Sequence, residues 1–174
     1  MSDLRFNVSQ LLQEHVGGTR QHEFDDPALA LGDGLEMRPV RGQVKLTRTK
    51  SGVLAHARAE GEVVLNCARC LTDYQQPVEV TFDEEYHATV NVTTGVPLAE
   101  PEDEESFRIN SSHLLDLGDA IREYALLALP IAPTCREGCR GMCPHCGTNL
   151  NEASCDCVDE VVDERLAALK HLLN

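Results

Sequence analysis

Alternating apolar and polar residues run through the first half of the chain and predict a β-sheet. Residues 40–49 and 53–59 alternate in this way on either side of the turn Lys50-Ser51-Gly52, a pattern typical of a hairpin. Further strands are predicted at residues 4–8, 19–24, 61–65, 78–82 and 86–92. The middle of the protein is therefore expected to form an antiparallel sheet or a partly closed barrel.

Stretches of helical period predict elements that cover this sheet. Ser9 is expected to cap a short helix at residues 10–15, and Asp116 is expected to cap a longer one that Pro130 ends. A last helix is predicted near the C-terminus. Its apolar stripe consists of Val158, Val162, Leu166, Leu169 and Leu173. Strands followed by covering helices predict the α+β class.

Composition divides the chain into two parts. Residues 93–106 combine Gly, Pro and Ala with a run of acids, which predicts an acidic loop. The acids are Glu100, Glu102, Asp103, Glu104 and Glu105. Six cysteines follow at residues 135–157. We therefore predict an α+β domain at residues 1–134 and a cysteine-rich zinc-binding segment with the C-terminal helix at residues 135–174.

The chain carries 29 acidic residues against 15 basic residues, a formal net charge of −14. Because Lys and Arg dominate affinity for nucleic acids, this composition disfavours a general RNA binder and favours a basic partner. The stretch 36–58 departs from it, with six basic residues against the single acid Glu36. Its Arg41, Lys45 and Arg48 are candidates for contact with RNA.

The eight cysteines are the strongest chemical signal in the sequence. We expect the protein to lie in the cytoplasm, because the sequence shows no signal peptide or membrane span, and reduced clustered thiols there are typical metal ligands. The run Cys143-Pro144-His145-Cys146-Gly147 is typical of a zinc knuckle, with Gly147 suited to a left-handed turn. The sequence therefore predicts a structural zinc ribbon or knuckle.

Spacing divides the cysteines into two sets of four, so that one or two zinc ions are expected. The local set is Cys143, Cys146, Cys155 and Cys157. The long-range set joins the end of a strand to the cysteine-rich segment. It consists of Cys67, Cys70, Cys135 and Cys139. Cys139 joining the local set, an iron–sulfur cluster, a redox pair at Cys67 and Cys70, and ordinary buried thiols are the alternatives.

Catalysis is not expected from this set of residues. A shell of four thiolates leaves no coordination position for water, and the histidines are scattered along the chain. The neighbours Glu84 and Glu85 are predicted to point to opposite faces of a strand, which disfavours shared acid–base work. The sequence therefore predicts a protein that is not an enzyme.

Four elements in a fixed order carry a family resemblance. They are Cys67-x-Arg69-Cys70-Leu71; Leu129-Pro130 with Pro133 and Cys135; the run Gly141-Met142-Cys143-Pro144-x-Cys146-Gly147-x-Asn149-Leu150-Asn151; and Asp163-x-Arg165-Leu166-Ala167-Ala168-Leu169. Together they resemble the YceD family. The resemblance implies a role in the accumulation of 23S ribosomal RNA. It also implies that the function lies near Cys67, Arg69 and Cys70, because the distal cysteine segment is not universal in the family.

Three hypotheses for the mechanism follow. In the first, the protein is an acidic adaptor for a basic large-subunit ribosomal protein or a pre-ribosomal particle. In the second, ribosomal RNA binds directly to the basic hairpin and Arg69. The third, an RNA-processing enzyme, has the weakest support because no acid–base or metal–water constellation is visible. No membrane partner is expected.

Overall fold

The computed structural model describes residues 4–99 and 106–157. In chain order the elements are β1 (Arg5–Asn7), α1 (Ser9–Gln13), β2 (Thr19–Asp26), β3 (Leu29–Gly32), β4 (Leu35–Arg48), β5 (Gly52–Asn66), β6 (Asp73–Ala88), β7 (Arg108–Ile109), β8 (Leu114–Asp116) and α2 (Gly118–Ala128). Strands predominate over helices in this part of the chain, in agreement with the predicted sheet.

Six strands form one open sheet with the order β2-β4-β5-β6-β7, and β3 pairs with β4. Most pairs are antiparallel, while the short pair of β6 with β7 is parallel. The alternative of a partly closed barrel is wrong, because β2 and β7 lie at opposite ends of this order and do not pair. β1 and β8 form a separate two-stranded sheet.

The central strands are longer than the sequence pattern predicts. The predicted strands 53–59 and 61–65 are one strand, β5, and Gly61 lies inside it. The register of β4 against β5 shifts between Arg38 and Arg41, and there a Cβ atom at position 61 would clash with the carbonyl oxygen of Pro39. Gly61 therefore marks a bulge at which two backbones approach closely, and not the end of a strand.

The inner face of the sheet and both helices enclose the core. Apolar residues are buried at alternate positions along much of the central strands, such as Val80 and Phe82 of β6. Ile121 and Ala125 of α2 are fully buried, and the ring of Tyr124 stacks on that of Phe82 with a centroid distance of 4.9 Å. The apolar residues that alternate along the strands and those that recur with the helical period on α2 thus pack together in one layer.

The helix ends agree in part with the predicted caps. Asp116 Oδ1 accepts a hydrogen bond of 2.8 Å from the backbone N–H of Gly118, and α2 ends two residues before Pro130, as its sequence predicts. The prediction that Ser9 caps α1 is wrong. Ser9 is the first residue of that helix, and Asn7 Oδ1 accepts a hydrogen bond from its backbone N–H group.

Two predicted elements concern residues that the structure does not describe. The helix carrying Val158 to Leu173 and the acids Glu100 to Glu105 of the loop lie outside the described residues. Among the residues that are described, no helix has the length and apolar character needed to cross a membrane. The division at residue 134 stays a prediction.

Replacing Ile121 by Ala is expected to lower the free energy of unfolding by about 2–5 kcal/mol, because it removes a fully buried side chain from the contact between α2 and the sheet. The matched control is Leu127→Ala on the same helix, where the side chain is 81% exposed. That change is expected to cost less than about 0.5 kcal/mol. Denaturant unfolding of both variants measures the difference, and equal losses would contradict the described packing.

Candidate metal centre

The structure brings the eight cysteines together in two sets of four. The sheet quartet consists of Cys67, Cys70, Cys135 and Cys139, and the distal quartet consists of Cys143, Cys146, Cys155 and Cys157. Within each quartet all four sulfur atoms lie within 4.8 Å of one another. These are the two sets that the spacing along the chain predicts, and Cys139 does not join the distal one.

The first pair of the sheet quartet lies in the turn that joins β5 to β6. The backbone N–H of Cys67 donates to the carbonyl oxygen of Thr72 at 3.0 Å, and the N–H of Leu71 donates to the carbonyl oxygen of Cys67 at 2.9 Å. Leu71 has a φ of 59°, in the left-handed region that branched side chains disfavour. The turn places both sulfur atoms of the pair on one side of the chain.

The first pair of the distal quartet repeats this backbone. The N–H of Cys143 donates to the carbonyl oxygen of Thr148 at 2.8 Å, and the N–H of Gly147 donates to the carbonyl oxygen of Cys143 at 2.9 Å. Gly147 has a φ of 71°, as predicted for the residue after the second cysteine of a knuckle. Both turns are therefore knuckles, and Leu71 occupies the position that Gly147 occupies in the other.

A threonine supports the second cysteine of each knuckle. Thr72 Oγ1 lies 3.5 Å from Cys70 Sγ, and Thr148 Oγ1 lies 3.1 Å from Cys146 Sγ. Sequence reasoning missed these two residues. The shared pattern Cys-x-x-Cys-x-Thr was the signal that could have revealed them.

Three hydrogen bonds hold the cysteine-rich segment against the first knuckle. The N–H of Ala68 donates to the carbonyl oxygen of Pro133 at 2.7 Å, and the guanidinium of Arg69 donates to that of Cys139 at 3.1 Å. The N–H of Met142 donates to the carbonyl oxygen of Arg69 at 3.0 Å. Arg69, predicted to contact a partner, thus joins the sheet to the segment that follows α2.

The pKa values of the thiols are split within each quartet. Hydrogen bonding, first from the backbone N–H of Cys135, lowers the pKa of Cys67 to about 6, while burial raises that of Cys135 to about 12. In the distal quartet, hydrogen bonding with Thr148 lowers the pKa of Cys146 to about 6, and the hydrogen bond with Cys146 raises that of Cys157 to about 12. Repulsion between neighbouring thiolates opposes joint ionisation of the four thiols, and a cation bound among them would favour it.

The geometry of the sulfur atoms fits one tetrahedral ion in each quartet. In the sheet quartet, Cys67 Sγ lies 3.7 Å from Cys139 Sγ, and Cys70 Sγ lies 3.7 Å from Cys135 Sγ. A tetrahedral ion with metal–sulfur bonds of about 2.3 Å separates its sulfurs by roughly 3.8 Å, whereas a disulfide joins them at about 2.05 Å. Each quartet could therefore hold a metal ion in a closed shell.

The three basic residues predicted to contact RNA lie on β4 and differ in their surroundings. Arg41 forms an ion pair of 3.0 Å with Asp25 of β2. Arg48 is bound to the protein itself, donating to the carbonyl oxygens of Leu12 at 3.1 Å and Gly52 at 2.9 Å. Lys45 is exposed and makes no ion pair within residues 4–99 and 106–157. The structure does not combine the three into one free basic patch.

Both quartets lie in the part of the chain that matches a known protein family. Residues 55–173 match the family described as large ribosomal RNA subunit accumulation protein YceD. This stretch is more than half of the chain and contains all eight cysteines. The chain belongs to the YceD family. The resemblance to the YceD family, which the cysteine and proline elements of the sequence carry, is thereby confirmed.

Individual relatives match part of the chain. An uncharacterized protein of Mycobacterium leprae is 29% identical over 115 residues, 64% of this chain and 49% of that protein. A counterpart from Mycobacterium bovis is 30% identical over 107 residues, 62% of this chain and 49% of that protein. The chain thus spans about half the length of these relatives.

A plant protein carries the family's description in its name. It is the large ribosomal RNA subunit accumulation protein YCED homolog 1, chloroplastic, of Arabidopsis thaliana. It is 38% identical over 58 residues, which are 33% of this chain and 18% of that protein. No solved structure matches the chain.

Protein purified under reducing conditions is expected to contain two metal ions per chain, one for each quartet. Replacing Cys155 and Cys157 by Ser removes two ligands of the distal quartet, so the content is expected to fall to one. Elemental analysis by mass spectrometry measures the content, with the neighbouring change Ser154→Ala as the control. Two ions remaining in the double variant would show that the distal quartet is not a site.

Proposed function

We propose that this protein is a non-catalytic, zinc-stabilised factor that supports the accumulation of 23S ribosomal RNA in the cytoplasm. It acts as an acidic adaptor for a basic ribosomal protein during assembly of the large subunit. The description of the YceD family supports the link to ribosomal RNA. The charge pattern on the solvent face of the sheet supports the adaptor and is the observation that carries it.

Zinc is the ion that the quartets favour. Thiolate ligands select zinc and related soft ions, and zinc has no redox chemistry in a structural site. In the sheet quartet, the separations of 3.7 Å between sulfur atoms suit a single ion, whereas an iron–sulfur cluster places several metal atoms between its ligands. Zinc in the sheet quartet would tie the segment after α2 to the sheet, because each supplies two of its four ligands.

Some of the basic residues of the β4–β5 hairpin lie beside acids of the neighbouring strands. Arg58 pairs with Glu79 of β6 at 2.6 Å, and His56 lies 2.8 Å from Asp83 of the same strand. Arg41 pairs with an acid of β2, as described above. The stretch that is basic along the chain is therefore mixed in charge on the folded surface.

Further acids lie on this face, and one of them, Glu79, is the partner of Arg58. Glu60 and Glu79 lie directly opposite each other on β5 and β6, and Glu62 follows on β5. All three side chains are exposed. Depressions of about 540 and 590 Å³ open on the same face between β2, β4 and β5, and the smaller one is lined in part by Glu60. Such a face attracts cationic protein segments and repels phosphate.

Direct binding of ribosomal RNA is the weaker candidate. Arg48 and Arg69 donate to backbone carbonyl groups, and Arg41 is paired, so that Lys45 alone of the four predicted residues lacks such a partner among the described residues. Phosphate contact needs several free cations acting together. An RNA-processing role is weaker still, because two shells of four thiolates leave no position for a catalytic water.

The adaptor is tested by recovering partners from the native host with the tagged protein, with and without ribonuclease. Large-subunit ribosomal proteins are expected to remain after ribonuclease treatment. Reversing charge on the sheet face with Glu60→Lys and Glu62→Lys is expected to reduce their recovery roughly tenfold, because a cationic partner then meets like charge.

The matched control carries Glu123→Lys and Glu137→Lys, which change the net charge equally at exposed positions outside the sheet. It is expected to retain its partners. Equal losses in both variants would mean that net charge acts without a defined surface. Loss of every partner with ribonuclease would favour direct RNA binding.

A further inference from the structure

The loop between Cys146 and Cys155 belongs to the distal quartet by its ends but contacts the sheet quartet in its middle. We propose that Asn149 and Asn151 of this loop couple the two sites, so that an ion in the distal quartet tightens metal binding at the sheet quartet. The coupling rests on the proposed occupancy of both quartets by zinc. The proposed coupling gives a role to Asn149 and Asn151, two residues that are not metal ligands but belong to the run Gly141 to Asn151 that carries the family resemblance.

Asn151 makes the direct contact. Its amide Nδ2 lies 3.4 Å from the sulfur of Cys139, a sheet-quartet residue that is only 3% exposed. The amide is held in this orientation at both ends, because its Oδ1 accepts the N–H of Arg140 at 2.9 Å and its Nδ2 also donates to Asn149 Oδ1 at 2.8 Å. Asn151 is therefore a positioning residue for a ligand of the other site.

Asn149 makes an indirect contact with a second ligand. Its Nδ2 lies 3.4 Å from the hydroxyl oxygen of Thr72, which itself lies 3.5 Å from the sulfur of Cys70. The same amide group donates to Glu152 Oε1 at 2.9 Å, within the loop. Two of the four sulfur atoms of the sheet quartet thus receive support from a loop that the sheet does not contain.

The position of this loop depends on the distal quartet. Its start is held by the second knuckle and by a hydrogen bond of 2.9 Å from the N–H of Leu150 to the carbonyl oxygen of Gly141. Its other end carries Cys155, followed by Cys157, and an ion shared with Cys146 would close the loop. Closing a loop removes conformational freedom that would otherwise oppose the contacts made by its middle.

The expected size follows from outer-shell hydrogen bonds at other metal sites, whose loss lowers metal affinity by about 10–100-fold. Coupling between two binding sites is reciprocal. An ion in the sheet quartet is therefore expected to tighten the distal site by the same factor.

The test measures zinc affinity by competition with a chromophoric chelator in the full chain. Cobalt substitution reports through its thiolate absorption whether each site keeps four sulfur ligands. Asn151→Ala is expected to weaken zinc binding at the sheet quartet about tenfold while both quartets keep their four ligands. The matched control is Asn91→Ala, since Asn91 supports a turn through the N–H groups of Thr93 and Thr94 and contacts no cysteine.

A double-mutant cycle isolates the coupling. Removing the distal site with Cys155→Ser and Cys157→Ser is expected to weaken the sheet site by a similar factor, and Asn151→Ala is expected to add little in that background. Equal effects of Asn151→Ala with and without the distal site would overturn the coupling, as would an affinity within twofold of wild type. If the double cysteine variant does not fold, the distal site of the intact Asn151→Ala chain decides, because reciprocal coupling predicts that its zinc affinity also falls about tenfold and an unchanged distal affinity would overturn the coupling. Absence of zinc from purified wild-type protein would instead refute the proposed zinc occupancy.

Discussion

The knuckle between Cys67 and Thr72 is the constraint on which the rest of this structure depends. It joins the two longest strands, β5 and β6, and in doing so places two thiols at one end of the sheet. The carbonyl oxygen of Pro133 accepts a hydrogen bond from the backbone of this knuckle, and the carbonyl oxygen of Cys139 accepts one from the side chain of Arg69. These two contacts bring the chain after α2 back to the sheet. The sheet therefore supplies half of a candidate metal site, and the other half comes from a segment more than 60 residues away.

Strand pairing in this sheet changes the local charge around the basic residues. Along the chain, the stretch 36–58 is basic, but antiparallel pairing places β2 and β6 on either side of it. Both neighbours carry acids on the solvent face, and two of these acids, Asp25 and Glu79, pair with arginines of the hairpin. Exposed ion pairs contribute little to stability, about 0–1 kcal/mol each, so their main effect is on the field that a partner meets.

The two knuckles are close copies in backbone geometry but differ in burial. Cys67 and Cys70 are buried together with Cys139, whereas Cys146 and Cys157 are exposed. The distal quartet thus has less surrounding structure to hold its ligands, and the loop that it closes has more to gain from an ion. In the proposed coupling, the distal quartet acts on the sheet quartet through Asn149 and Asn151 rather than through the ligands themselves.

The sequence by itself determined the sheet-forming pattern, the stop of α2 before Pro130 and the two sets of cysteines. Each of these depends on residues that are close in sequence or on ligand types with restricted spacing. Only the tertiary structure decided that residues 53–65 form one strand across Gly61, that the sheet is open, and that Arg41 and Arg48 are engaged by the protein. These outcomes follow from which strands lie side by side. Neighbours such as Asp25 and Arg41, or Asn151 and Cys139, come into contact through the fold, and local periodicity carries no record of it.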